Sequence, residues 1–213
     1  MGIGQRGTVV VGRRTELDLL SGVLHNLDRG TGVTIRLRGN AGIGKTTLLD
    51  WVTLQSRAAV VRLTGSESEA ELAYSGLASL MKAFEILHVS VPSPHDQVLA
   101  EAVGCGSARG QLTVGGATLA AIAAAGEQAP LVLLLDDAQW MDEPSSTALA
   151  FALRRLPDEP VVAVITERSD MPSKSDDAGF ETIELRGFNV DEAIAMLGTN
   201  TDRAVAQRCV DAA

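Results

Sequence analysis

Hydrophobic positions along the chain change period several times, from the spacing of a helix face to that of a strand. The first helical pattern covers residues 16–27, with apolar positions at Leu17, Leu20, Val23, Leu24 and Leu27. A Gly-rich break follows. The next segment, 33–38, begins β-branched and alternates, which predicts a strand.

This exchange of helices and strands continues along the chain. We predict further strands at 59–63, 131–135, 161–166 and 182–185. We predict helices at 45–55, 69–87 (as one or two helices), 96–103, 117–125, 144–156, 191–197 and 203–212. Segments 104–116 and 170–179 are rich in glycine or polar residues, so we expect loops there, the first of them mobile.

Strands that alternate with helices predict an α/β fold with a mostly parallel central sheet. The segment 131–135 is continuously apolar, as expected of a strand whose two faces are both covered by helices. We therefore expect a three-layer α/β/α sandwich.

Composition narrows the class of protein. The 213 residues are 46% hydrophobic and carry a formal net charge of −9, which disfavours a broad nucleic-acid-binding face. Cys105 and Cys209 are far apart in sequence, and we expect two free thiols. The apolar runs are too short to span a bilayer and no targeting segment is visible, so we expect a cytoplasmic protein without membrane contact.

The strongest chemical motif follows the strand predicted at 33–38. It is G-x-x-x-x-G-K-[ST], a P-loop. The motif consists of Gly39, Asn40, Ala41, Gly42, Ile43, Gly44, Lys45 and Thr46, and Thr47 follows it. Glycines allow successive backbone N–H groups to turn around an anion at a helix N-terminus. We expect these residues to bind ATP, Lys45 to contact the β- and γ-phosphates, and the Thr46 hydroxyl to bind Mg²⁺.

A second motif ends the apolar strand at 131–135. Asp136 follows four or more apolar residues, as in a Walker B strand, and we expect it to bind Mg²⁺ beside the P-loop. Neighbouring residues on a strand point to opposite faces, so Asp137 cannot duplicate Asp136. Asp137 would instead orient or deprotonate the attacking water.

A third candidate is Arg168, which ends the buried strand at 161–166 in the sequence Thr166-Glu167-Arg168. An arginine there would lie near the γ-phosphate and stabilise its charge. The alternative is an ordinary surface arginine that happens to follow a strand. The pair Arg154-Arg155 also has two interpretations: it is either a finger toward a neighbouring subunit or, as is more common for such pairs, part of a solvated helix face.

Several segments together resemble one family. Val11-Gly12-Arg13-Arg14-Thr15-Glu16 resembles the box that opens STAND-class P-loop ATPases. Residues 136–142, D-D-A-Q-W-M-D, resemble the D-D-x-x-W-x-D signature of the large ATP-binding regulators of the LuxR family. Residues 65–80 are similar to the segment that follows the second strand in these proteins, and Thr166-x-Arg168 resembles their sensor 1. The similarity runs from about residue 9 to residue 213.

The resemblance implies a five-stranded ATPase sheet of order 5-1-4-3-2, followed by a helical lid. We expect the ATPase domain at residues 1–188 and the beginning of the lid at 189–213. Val11, Gly12 and Arg13 would then lie beside the adenine, and Arg168 would act as the sensor. The family continues past the end of this sequence into further domains, among them a DNA-binding one, so we expect a truncated relative.

The function implied is an ATP-binding switch that hydrolyses ATP slowly and takes part in transcription regulation. The partners expected are ATP or ADP, and either further copies of the chain or C-terminal domains in intramolecular contact, but no nucleic acid on this segment. Two alternatives stay open. The first is a motor or loader closer to AAA+ machines, although Asp137 stands where such motors usually have Glu. The second is a nucleotide-binding interaction module without hydrolysis.

Overall fold

The fold is taken from a computed structural model. It describes residues 10, 12–106, 110–156, 158–173 and 179–187, together with the single residues 190, 192, 194, 207, 208 and 210. The predicted lid at 189–213 lies largely outside the described residues, and so does Val11. The domain boundary at residue 188 therefore stays a prediction.

Strands and helices alternate as the hydrophobic pattern predicts. The strands are β1 (Val33–Arg38), β2 (Ala59–Thr64), β3 (Leu131–Asp136), β4 (Val161–Glu167) and β5 (Glu181–Glu184). The helices are α1 (Arg14–Asp28), α2 (Lys45–Gln55), α3 (Ser75–Ile86), α4 (His95–Cys105), α5 (Gln111–Gln128) and α6 (Glu143–Leu153). Short 3-10 turns cover Glu67–Glu69 and Ala138–Trp140.

The five strands form one parallel sheet in the order β2-β3-β4-β1-β5. This is the predicted order read from the other edge, so the predicted fold class and strand order are confirmed. Thr64 pairs with Asp136, and Arg38 pairs with Glu167. Because the strands are parallel, their carboxyl ends meet at one edge, where ligands bind in open α/β sheets.

Alternating side chains divide the core into two layers. Val132, Leu134, Val162 and Val164 face α1 and α2, and they are buried with Leu20, Leu48, Leu49 and other apolar side chains. The intervening strand residues, such as Leu133 and Ala163, pack instead with side chains of α3 to α6. This two-sided burial explains why β3 and β4 are apolar almost throughout. None of the described helices is long and apolar enough to cross a membrane.

The predicted mobile loop at 104–116 is wrong in its second half, because α5 begins at Gln111. Gly115 lies inside that helix, facing the Phe151 ring of α6, which a Cβ on Gly115 would approach to 2.8 Å. The glycine therefore permits close packing of two helices, and does not mark a turn. The helix predicted at 69–87 begins later than expected. Tyr74 has a φ of 65°, and α3 begins only at Ser75.

Candidate nucleotide-binding site

The P-loop lies between β1 and α2, at the carboxyl edge of the sheet. Gly42 and Gly44 have φ angles of 75° and 98°, which residues with a side chain rarely adopt. Gly44 is the N-cap of α2 and provides no side-chain cap. The first-turn amides of this 11-residue helix therefore have no side-chain acceptor at their cap, as in helix N-termini that bind phosphate.

Lys45 lies across the P-loop. Its Nζ donates hydrogen bonds to the main-chain oxygens of Gly39 (2.8 Å) and Asn40 (2.9 Å), and the residue is only 6% exposed. Burial lowers the pKa of Lys45, while the negative charges of Asp137 and Asp136 oppose that shift. An ammonium group held only by carbonyl oxygens can exchange these partners for the charged oxygens of a phosphate.

Asp136 is buried at the end of β3, and its two oxygens have different partners. Oδ1 accepts a hydrogen bond from Thr166 Oγ1 at 2.8 Å. Oδ2 faces Thr46 Oγ1 at 3.4 Å and also accepts a hydrogen bond from Arg62. The structure thus brings together the two predicted metal ligands, Thr46 and Asp136.

The donor set suits Mg²⁺. Mg²⁺ prefers hard oxygen ligands and commonly takes only one or two from the protein, with phosphate and water supplying the others. Thr46 Oγ1 and Asp136 Oδ2 are two such oxygens on facing elements. Across the described part of the chain, no cluster of three or more His, Cys, Asp or Glu side chains forms a complete metal cage.

Thr166 connects the Walker B strand to its neighbour. Besides donating to Asp136, its Oγ1 accepts a hydrogen bond from the Asp137 backbone N–H at 2.9 Å. The residue is fully buried. Thr166 therefore fixes both the carboxylate of Asp136 and the backbone where the chain leaves β3.

Asp137 is the first residue after β3 and lies outside the strand, so the alternation of strand residues does not fix where its side chain points. It adopts a left-handed backbone conformation with φ of 50° and begins the 3-10 turn. Its Oδ1 accepts a hydrogen bond from Gln139 Nε2 at 3.0 Å. With Lys45 it lines a cleft of about 350 Å³, whose walls also include Trp140 and five residues of the loop and its helix: Ala41, Gly42, Gly44, Thr46 and Thr47.

Arg168 also lines this cleft, but its side chain is turned to Asp170. Its Nε and Nη2 donate to the two Asp170 carboxylate oxygens at 2.9 Å and 2.6 Å. This exposed pair raises the pKa of Arg168 and lowers that of Asp170, each through the hydrogen bond to the other. The sensor role of Arg168 remains a prediction.

Arg13 braces the P-loop from outside. The residue is 5% exposed, and its Nη2 donates to the main-chain oxygen of Ile43 at 2.9 Å while Nη1 contacts Glu16 at 3.1 Å. A second pocket, of about 610 Å³, lies between residues 12–16 and the end of β5. Arg13 thus contacts the P-loop, and Gly12 and Arg13 both line a pocket large enough for a nucleoside base.

Sequence reasoning singled out neither Gln139, which lines the cleft, nor Asp142, which holds the segment that follows β2. Gln139 donates to Asp137 and accepts from the Arg168 backbone N–H at 3.2 Å, which links the two strand ends. Asp142 is 1% exposed and accepts hydrogen bonds from Tyr74 N, Gly76 N and Ser145 N, at 2.8 to 2.9 Å. Both residues belong to the D-D-x-x-W-x-D signature, which was their signal in the sequence. Gln139 occupies a variable position of the signature, and Asp142 is its last residue.

Asp142 anchors α3 to α6. Burial alone would raise its pKa, but the hydrogen bonds from Gly76, Ser145 and Tyr74 outweigh it and lower the pKa. Nearby, Gly65 is in contact with the Walker B turn, where a Cβ would lie 2.3 Å from the Asp137 carbonyl oxygen. The segment after β2 therefore packs directly against the residues that follow Asp136.

A phosphate loop with its lysine, a Walker B aspartate beside it and a five-stranded parallel sheet define the class of P-loop nucleoside triphosphatases. Residues 9–165 match the model of the AAA ATPase domain, and the chain belongs to that family.

Among solved structures, the chain is similar to the crystal structure of Cdc6p from Pyrobaculum aerophilum, with a TM-score of 0.57 and 15% identity. The similarity covers 93% of this chain and 54% of that one, so the chain spans about half the length of Cdc6p. At this identity the likeness shows the fold alone. No curated protein matches the chain.

Proposed function

We propose that this AAA ATPase domain is the ATP-binding switch of a STAND-class regulator of the LuxR family. The observation that carries the proposal is the cleft that Lys45 and Thr46 line beside a glycine-rich helix N-terminus, with Asp136 Oδ2 3.4 Å from Thr46 Oγ1. The contact from Arg13 to Ile43 supports the STAND assignment, because it links the opening box of that class to the P-loop.

Residues of the loop between β1 and α2, and of the first turn of α2, would bind the triphosphate. Lys45 would leave its two carbonyl partners for the β- and γ-phosphates, while backbone N–H groups of residues 39–46 receive the remaining oxygens. Thr46 and Asp136 would hold Mg²⁺, which when bound neutralises charge on the phosphates. Gly12, Arg13 and Val11 are our candidates for contacts to the adenine side.

We assign the slow hydrolysis to the groups around Asp137. Asp137 lines the cleft together with Lys45, and its carboxylate accepts a hydrogen bond from Gln139; we therefore assign it the role of orienting or deprotonating a water molecule. Thr166 would keep Asp136 and the Asp137 backbone in place during this step. Arg168 can reach the developing charge only after leaving Asp170.

The signalling context is part of the same proposal. ATP would favour association of copies of this domain, or its contact with further domains, and hydrolysis would reset that state. The net charge of −9 argues against DNA binding by this segment. We place the protein in the cytoplasm, with ATP, ADP and protein surfaces as its partners.

The decisive experiment is a nucleotide titration of the wild type and Lys45→Ala, followed by fluorescence of a labelled ATP analogue. We expect the variant to lose at least about tenfold in affinity, because the loss of one charge-assisted contact already has that effect. Lys82→Ala, which removes an exposed lysine of α3, is the matched control and should bind like the wild type. Equal affinity in the wild type and Lys45→Ala would overturn the assignment of the P-loop.

Turnover and assembly separate the proposal from its alternatives. A slow phosphate release, with ATP-dependent association on size exclusion and no gel shift of promoter DNA, supports the switch. Rapid turnover by a ring-shaped assembly would support a motor or loader instead. Tight nucleotide binding with no turnover under any condition would support an interaction module.

A further inference from the structure

Arg62 belongs to no motif, yet it contacts the predicted metal ligand. It lies on β2, and its Nη2 donates to Asp136 Oδ2. Its Nη1 donates to Asp50 Oδ1 on α2 at 2.6 Å. The guanidinium of Arg62 therefore bridges two carboxylates that come from two different elements.

The fold dictates this arrangement. β2 and β3 pair in parallel with Thr64 opposite Asp136, and Arg62, two residues before Thr64, shares its face of the sheet. Asp50 follows Thr46 by four residues on α2, so both lie on the same side of that helix. Arg62 is thus flanked by Asp136, which ends the neighbouring strand, and by Asp50 on the covering helix.

Arg62 and a metal ion would need the same oxygen. Asp136 Oδ1 accepts from Thr166 at 2.8 Å, whereas Oδ2 is the oxygen that faces Thr46 Oγ1. If Thr46 and Asp136 hold Mg²⁺ together, they do so through Oδ2, where Arg62 now donates. A guanidinium and a divalent cation on one oxygen would repel each other strongly.

Asp50 gives Arg62 a second partner when Oδ2 is needed elsewhere. Asp50 is about half exposed and its contact uses Nη1, a different nitrogen from the one bonded to Asp136. Arg62 can therefore give up Asp136 without leaving its charge unpaired. The two arrangements, Arg62 on both carboxylates or on Asp50 alone, differ only in this side chain.

We propose that Arg62 determines how strongly nucleotide binding depends on a divalent cation. Bound to Asp136, Arg62 neutralises a carboxylate beside the phosphates and so favours nucleotide binding without metal. Bound to Asp50 alone, it frees Oδ2 for the metal. The inference rests on the proposed nucleotide site. It adds a residue that sets the relative affinity of that site for nucleotide without and with a bound metal ion.

The test measures two affinities by calorimetry: ATP in the presence of EDTA, and Mg²⁺ for the ATP-saturated protein. In Arg62→Gln we expect ATP affinity in EDTA to fall, and Mg²⁺ affinity to rise about threefold to tenfold, as suits a partly exposed charge pair. Asp50→Asn should lower Mg²⁺ affinity, because Arg62 then has Asp136 as its remaining carboxylate partner among these contacts. Arg57→Gln, at an exposed position just after α2, is the matched control and should change neither value.

Opposite shifts of the two affinities in Arg62→Gln would support the inference. Unchanged Mg²⁺ affinity, or the same direction of change in both affinities, would overturn it while leaving the nucleotide site intact. If Arg62→Gln does not fold, Asp50→Asn and Arg62→Lys decide, the latter expected between the wild type and the glutamine variant. Failure of the wild type to bind ATP with or without Mg²⁺ would overturn the proposed function, and this inference with it.

Discussion

Arg13 Nη2 donates a hydrogen bond to the main-chain oxygen of Ile43, 30 residues further along the chain, at 2.9 Å. Ile43 lies between Gly42 and Gly44, the two P-loop glycines with positive φ. The contact therefore holds the part of the loop that lies between its two left-handed glycines. It gives the opening box a physical role that does not depend on a bound base.

Replacing Arg13 with alanine should weaken ATP binding about tenfold, because the lost hydrogen bond has a charged donor and one such bond accounts for about a factor of ten. The measurement is a titration with a fluorescent ATP analogue. Arg29→Ala removes an exposed arginine after α1 and should leave affinity within about twofold of the wild type. Equal affinities in Arg13→Ala and the wild type would show that the loop needs no brace.

Asp137→Ala should retain ATP binding but lose at least about a hundredfold in phosphate release, the usual contribution of a general base. Asp137→Asn tests the same role with less change in shape, since an amide oxygen can still accept from Gln139. Single-turnover phosphate release measures both variants. Unchanged hydrolysis in either variant would place the base on another residue.

The sheet and the loop were predictable because their signals are local. Two-sided burial makes β3 and β4 apolar residue by residue, and the P-loop needs its glycines and Lys45 at fixed spacing. Asp136 could be placed for the same reason, as the first polar residue after a buried strand. Each of these predictions depends on residues adjacent in the sequence.

What could not be predicted depends on contacts between distant residues. Nothing near Asp142 in the sequence indicates that Tyr74 and Gly76, some 66 to 68 residues earlier, donate to it. Arg62 likewise lies in an ordinary strand pattern, and only strand pairing brings it to Asp136. Gly115 was misleading because glycine is favoured both in loops and where two helices pack closely, so the residue type alone does not distinguish the two.

Asp142→Asn should destabilise the fold by about 2 to 3 kcal/mol at pH 7, because an amide nitrogen would face donors that a carboxylate satisfies. Since folding lowers the pKa of Asp142, its contribution is complete above the ordinary carboxyl pKa of about 3.9 and is lost as the pH falls through the folded value. Urea unfolding should therefore show the difference from the wild type shrinking below about pH 4.

The control for this change is Asp158→Asn, at an exposed position before β4, which should alter stability by less than about 0.5 kcal/mol. A difference between Asp142→Asn and the wild type that stays constant from neutral to acid pH would contradict the role of the charge. Any loss of stability in Asp142→Asn would then come from the changed hydrogen-bonding shape of the side chain and not from its charge.

Two adjacent glycines test where α5 begins. At Gly116 an added Cβ would meet nothing within 4 Å, so Gly116→Ala should stabilise the protein by about 0.5 to 1 kcal/mol through helix propensity. At Gly115 the Cβ would lie 2.8 Å from the Phe151 ring, so Gly115→Ala should destabilise it by about 1 to 3 kcal/mol through overpacking. Thermal unfolding of both variants provides the comparison. Equal, small changes in stability at both positions would indicate a loop that packs against nothing, as the sequence first suggested. Changes of opposite sign would instead support a helix packed on α6.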